Sequence, residues 1–165
     1  MSVDLGALHL SAGEARKLRL DVRLGGVILG GEHYVPTEPR TAVTLDVSRL
    51  TGQGFALRLR LDAALEGPCV RCLEPAQVAV QVDAREVDQP GSGEELDSPY
   101  VERSILDLSG WAHDAVVLAL PDQPHCREDC AGLCPVCAVN LNRAGPDHHH
   151  DRAPDPRWAP LRELG

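Results

Sequence analysis

Six cysteines carry most of the chemistry in this chain of 165 residues, at positions 69, 72, 126, 130, 134 and 137. Their spacing is C-x2-C, followed by C-x3-C-x3-C-x2-C. A C-x2-C turn places two thiolates on one side of a tight loop, within reach of one tetrahedral ion at about 2.3 Å. Pro68-Cys69-Val70-Arg71-Cys72-Leu73-Glu74-Pro75 is one such turn, and Cys134-Pro135-Val136-Cys137 is the other. The second lies in a Cys-, Pro- and His-rich stretch with little apolar area, where a structural zinc could supply ~10–16 kcal/mol of apparent folding free energy. Soft thiolate ligands favour zinc. Two ligand sets compete. Cys69, Cys72, Cys134 and Cys137 use both pairs and would staple the tail onto the rest, so they are the first choice. Cys126 and Cys130 are the alternative ligands, forming a local site with Cys134 and Cys137. His148-His149-His150 reads as a polar loop that can lend further ligands, together with Cys126 and Cys130.

Other chemistries find less support. A redox C-x2-C needs its first thiol at a helix N-terminus. Pro75 and the alternation after it argue strand, so Cys69 and Cys72 are expected to keep ordinary thiol acidity. The sequence contains no Gly-rich phosphate loop, no G-x-S-x-G and no H-E-x-x-H, and His9, His33 and His113 are isolated. No other catalytic set of residues stands out. The formal charge is −9, all of it from residues 81–165, while residues 1–80 are neutral. An acidic half repels phosphate, so any nucleic acid is expected on the N-terminal half. Arg58 and Arg60, with Arg71 following, are the candidate nucleic-acid contacts. Five aromatic residues are few for a base-stacking platform.

The elements that would position these residues are mostly strands. Apolar and polar residues alternate over 18–24, 41–49, 55–62 and 77–83, with Gly or Pro turns between them. Val27-Ile28-Leu29 reads as a short strand, and Pro36 and Pro39 bound a loop. Residues 88–99 form an acidic Pro/Gly loop. From Ile105 to Leu120 the period becomes 3.6, which predicts one helix near 107–120, capped by Asp107 or Ser109 and stopped by Pro121. The expected fold is α+β: an antiparallel meander of short strands, one covering helix and a zinc-stapled Cys-rich tail. Residues 1–125 form the β domain with its helix, and 126–165 form the metal-binding tail packed on it. The longest apolar run has six residues, against the ~20 a membrane helix needs. Met1-Ser2-Val3-Asp4 shows no secretory pattern, which predicts a cytoplasmic, reducing location.

Taken together, Cys69 to Pro75, Leu118-Ala119-Leu120-Pro121, Cys126 to Cys137, Asn140-Leu141-Asn142 and Asp155-Pro156-Arg157-Trp158-Ala159-Pro160-Leu161 resemble the bacterial YceD family, the large ribosomal RNA subunit accumulation proteins. The likeness reaches back to Asp4-Leu5-Gly6. One departure is Ala138, where the family usually has glycine. The resemblance implies a small non-enzymatic factor for accumulation or processing of large-subunit ribosomal RNA, binding metal and nucleic acid. Its expected partners are that RNA or a precursor particle, and ribosomal proteins, with no membrane and no small-molecule substrate. Two other readings stand beside it: a zinc-stabilised adaptor whose acidic half docks basic ribosomal proteins, and a thiol redox protein.

Overall fold

The structure is a computed structural model that describes residues 1–91 and 96–150. Among the described residues, nine strands and one α-helix follow in the order β1 (Ser2–Asp4), β2 (Ala15–Val22), β3 (Val27–Leu29), β4 (Glu32–Pro36), β5 (Thr41–Arg49), β6 (Phe55–Pro68), β7 (Pro75–Asp88), β8 (Val101–Glu102), β9 (Ile105–Asp107) and α1 (Leu108–Ala119). A 3-10 turn, Gly6–Leu8, follows β1.

The main sheet is antiparallel and is built around β6. Strand β7 pairs with β6 along its whole length, from Phe55 opposite Asp88 to Pro68 opposite Pro75. The other edge of β6 is shared, with β5 beside residues 55–61 and β4 beside residues 65 and 66. Strand β2 extends the sheet beyond β5, and β3 extends it beyond β4. The alternation seen in sequence becomes an inner face. Val43, Leu45, Val47, Phe55, Leu57, Leu59, Leu61, Val78, Val80 and Val82 are all buried. Leu108, Trp111, Ala112, Ala115 and Val116 of α1 join them in one core. The helix lies against β7 and also touches β1 and β2. Asp107 caps it by accepting the Gly110 N–H, and Pro121 follows its end.

This is the expected α+β class, mostly antiparallel sheet with one covering helix and a Cys-rich C-terminal region. Details differ. Strands β6 and β7 have 14 residues each, not the short strands expected. Residues 105–107 form a strand just before the helix, because Ser2–Asp4 offers them an edge, and β8 completes a small three-stranded sheet. Pro36 lies inside β4, at its last position, where its missing N–H interrupts no further pairing. The centre of the acidic 88–99 loop (residues 92–95) and the Asp155–Leu161 motif lie outside the described residues. Among the described residues, no helix is long and apolar enough to cross a membrane.

The far end of β6 is held in a particular way. Gly67 lies under the ring of Tyr34, which is fully buried and donates its hydroxyl hydrogen to the Pro68 carbonyl at 2.7 Å. That contact fixes the strand end from which the first C-x2-C turn leaves.

Candidate metal centres

The connection between β6 and β7 is the first turn. The Cys69 N–H donates to the Glu74 carbonyl at 2.7 Å, and the Leu73 N–H donates back to the Cys69 carbonyl at 2.9 Å. The second turn repeats this pattern: the Cys134 N–H donates to the Val139 carbonyl, and the Ala138 N–H to the Cys134 carbonyl, each at 2.8 Å. Both place the residue after the second cysteine in the left-handed region, Leu73 at φ 61° and Ala138 at φ 58°. The left-handed conformation is costly for a residue with a side chain. Leu73 is 62% exposed and buries little. Leu73→Gly is therefore expected to stabilise the protein by about 0.5–1 kcal/mol after the entropy of the added glycine. Denaturant unfolding against a Leu73→Ala control measures this, and a loss of stability would refute the strain argument.

The two turns do not share a ligand set. Cys69 and Cys72 meet Cys126 and Cys130, with all four sulfurs within 4.8 Å of one another. Cys69 Sγ lies 3.8 Å from Cys130 Sγ, and Cys72 Sγ lies 3.6 Å from Cys126 Sγ. A tetrahedral ion with sulfur at about 2.3 Å has sulfur–sulfur edges of roughly 3.8 Å. Cys134 and Cys137 gather His148 and His150 instead, again within 4.8 Å. The first-choice set, Cys69, Cys72, Cys134 and Cys137, is thus divided between two groups, and neither the histidines nor Cys126 and Cys130 have the partners expected for them. Backbone and Arg71 side-chain contacts at the hairpin tip accompany the division. The Val70 N–H donates to the Pro124 carbonyl, the Leu133 N–H to the Arg71 carbonyl, and Arg71 Nη1 to the Cys130 carbonyl at 2.7 Å. These bonds lay the segment carrying Cys126 and Cys130 across the first turn, and an Arg143–Glu74 ion pair adds to them.

The first group is a polarised cluster. Burial pushes Cys69 up, but the backbone N–H groups of Cys126, Arg71 and Cys72 aimed at its sulfur outweigh this and bring it to about 6. The sequence predicts no such lowering, because it considers only helix termini as N–H donors. Asn142, whose side-chain amide donates to the sulfur at 3.4 Å, lowers Cys130 against the effect of burial. Burial and the neighbouring sulfurs push Cys126 up to about 12. Two thiols favour ionisation and a neighbour resists it. A divalent cation at the centre removes that conflict by deprotonating every ligand. Cys69 and Cys72 are 0% and 4% exposed, while Cys126 of the same group is partly exposed. In the second group, Cys137 Sγ lies 3.8 Å from His148 Nε2. The His148 ring, followed by the backbone N–H groups of Cys137 and Val136, lowers Cys134 to about 6.

The candidate arginines are dispersed. Arg58 and Arg60 lie on the outer sheet face, as their spacing implies, but each is engaged. Arg58 grips Asp83 with two bonds of 2.7 and 2.5 Å, and Arg60 holds Asp46 at 2.6 Å, with Lys17 on the same carboxylate. Arg71 sits at the hairpin tip. Eight residues of strand, roughly 26 Å, separate Arg60 from the end of β6.

A family model described as large ribosomal RNA subunit accumulation protein YceD matches residues 57–165. An uncharacterized protein of Mycobacterium tuberculosis is 33% identical over 171 residues, covering 99% of this chain and 81% of the relative. An uncharacterized protein of Mycobacterium leprae is 32% identical over 161 residues, covering 86% of this chain and 73% of the relative. A chloroplastic protein of Zea mays, named large ribosomal RNA subunit accumulation protein YCED homolog 1, is 26% identical over 176 residues, covering 84% of this chain and 58% of its own length. No solved structure matches.

Proposed function

This chain belongs to the YceD family, and from that premise we propose that it is a non-enzymatic assembly factor for accumulation of large-subunit ribosomal RNA, held together by a zinc ion on Cys69, Cys72, Cys126 and Cys130. The observation that carries the zinc assignment is the four-sulfur cluster at the β6–β7 tip. Four thiolates fill a tetrahedral coordination sphere and leave no position for water or substrate, which is the arrangement of a structural site. The metal here fastens the tail to the sheet and performs no reaction. The ribosomal role is supported by the family description and by the name of the maize relative. Depleting the chain in growing cells should lower large-subunit RNA relative to small-subunit RNA, with the tagged chain sedimenting with large-subunit precursors. An unchanged ratio would overturn the role.

The engaged arginines favour a protein on that precursor as the point of contact. Arg58 and Arg60 already spend their charge on Asp83 and Asp46, and the C-terminal half supplies the net charge of −9. A basic ribosomal protein complements such a surface better than phosphate does. A direct RNA contact through Arg58, Arg60 and Arg71 predicts a log–log salt slope of about −2 to −3. The adaptor reading predicts no measurable slope with naked RNA, and association that survives Arg58→Glu with Arg60→Glu. Loss of association in that variant, with the sheet intact by circular dichroism, would return the contact to RNA.

A further inference from the structure

Cys134, Cys137, His148 and His150 take no part in the joint that fastens the tail to the sheet. We propose that they form a second, separate zinc site, which closes residues 132–150 into a single loop. The backbone prepares it at both ends. Residues 132–141 fold as a miniature hairpin, with Leu133 bridged to Asn140 and the Leu141 N–H donating to the Gly132 carbonyl at 2.9 Å. At its tip the Val136 N–H donates to Cys134 Sγ at 3.4 Å, the same use of amides on sulfur that organises the first turn. The chain then reverses. The Arg143 and Ala144 N–H groups donate to the Asn140 carbonyl, and the His148 N–H to the Gly145 carbonyl.

That reversal brings two imidazoles onto the sulfurs. The ligand atoms of His148 and His150 lie with the sulfurs of Cys134 and Cys137, all within 4.8 Å of one another. Their rings meet edge to face at 4.8 Å between centroids. His149, between them, turns to the Asp147 carbonyl at 2.7 Å. A solvated histidine run has no reason to sort its members this way. Two thiolates and two neutral imidazoles make a tetrahedral set suited to zinc, and one that balances its charge. Cys134 is buried while Cys137 and His150 are exposed, so the ion would be held at the surface, unlike the enclosed four-sulfur site.

The site does not depend on the ribosomal reading, and metal counting separates it from the four-cysteine site. The full chain, purified reduced and stripped of metal, is titrated with cobalt(II) and then zinc(II). Two equivalents are expected, with absorption bands of a four-sulfur and a two-sulfur, two-nitrogen environment. His148→Ala with His150→Ala should keep one equivalent and only the four-sulfur bands. Cys126→Ser with Cys130→Ser should keep one equivalent and only the mixed bands. One equivalent in the wild-type chain overturns the proposal, as does a second equivalent that survives loss of both histidines. Loss of the four-sulfur bands on Cys134→Ser would also overturn it, by joining the two C-x2-C turns in one site.

Discussion

Cys130→Ser should cost the protein one zinc equivalent and release residues 122–150 from the hairpin while the sheet persists. The effect is large because little else holds that segment. Among the described residues its attachments include three hydrogen bonds around Val70 and Arg71, the Arg143–Glu74 pair, the buried Pro124, and a small cluster of Cys69, Cys72, Ala76 and Cys130 with Cys126 and Leu133 beside it. The two backbone bonds contribute about 0.5–1.5 kcal/mol each and the one from the Arg71 guanidinium about 1.5–3, against ~10–16 kcal/mol of apparent free energy for a structural zinc. The main core contains none of the cysteines, so β2–β7 and α1 should keep their protection. Amide hydrogen exchange with metal analysis reads both halves of this expectation. A variant that retains the metal and the protection of residues 122–150 would refute it, and so would one whose sheet exchanges as fast as its tail.

Gly67→Ala should destabilise the main sheet by about 2–3 kcal/mol, the upper part of the range for a core overpacking. A Cβ at this position would lie 2.6 Å from Tyr34 Cε1 and 2.8 Å from Cγ. The ring has little room to yield, because Tyr34 is fully buried and its hydroxyl is bonded to the Pro68 carbonyl. Alanine would otherwise gain some stability over glycine in a strand, so a loss reports the ring contact itself. For a chain of this size the melting temperature should fall by roughly 4–12 °C. Tyr34→Ala with Gly67→Ala should cost less than the two single changes combined, since the clash disappears with the ring. Full additivity, or an unchanged melting temperature in Gly67→Ala, would show that glycine is not required there.

Much of this architecture was legible from periodicity. The buried positions of β5, β6 and β7 follow strict alternation, and Asp107 and Pro121 mark the helix ends. What periodicity cannot carry is pairing. Strands of two or three residues, such as β1, β8 and β9, are too short to show a period, and β4 hides among Glu32, His33 and Pro36. The same gap explains the arginines. Spacing places Arg58 and Arg60 on one face, but only strand register brings Asp83 and Asp46 within reach of them. The cysteine turns were recognisable by type, yet C-x2-C spacing does not say which turns meet. That is settled by contacts between residues more than 50 positions apart, such as Val70 with Pro124 and Arg71 with Cys130.

The same separation sets a clock during synthesis. Cys69 and Cys130 meet across 61 residues of chain. At ~5–20 residues per second, the first cysteine pair emerges roughly 3–12 s before its last partner. During that interval the β6–β7 hairpin can form, but its tip carries two thiols with half a coordination sphere. A nascent chain in this state can lose the pair to an oxidant or a stray soft metal before the tail arrives. Yield of the folded protein should therefore depend on translation speed between codons 72 and 130, and on the reducing power available while that stretch is made.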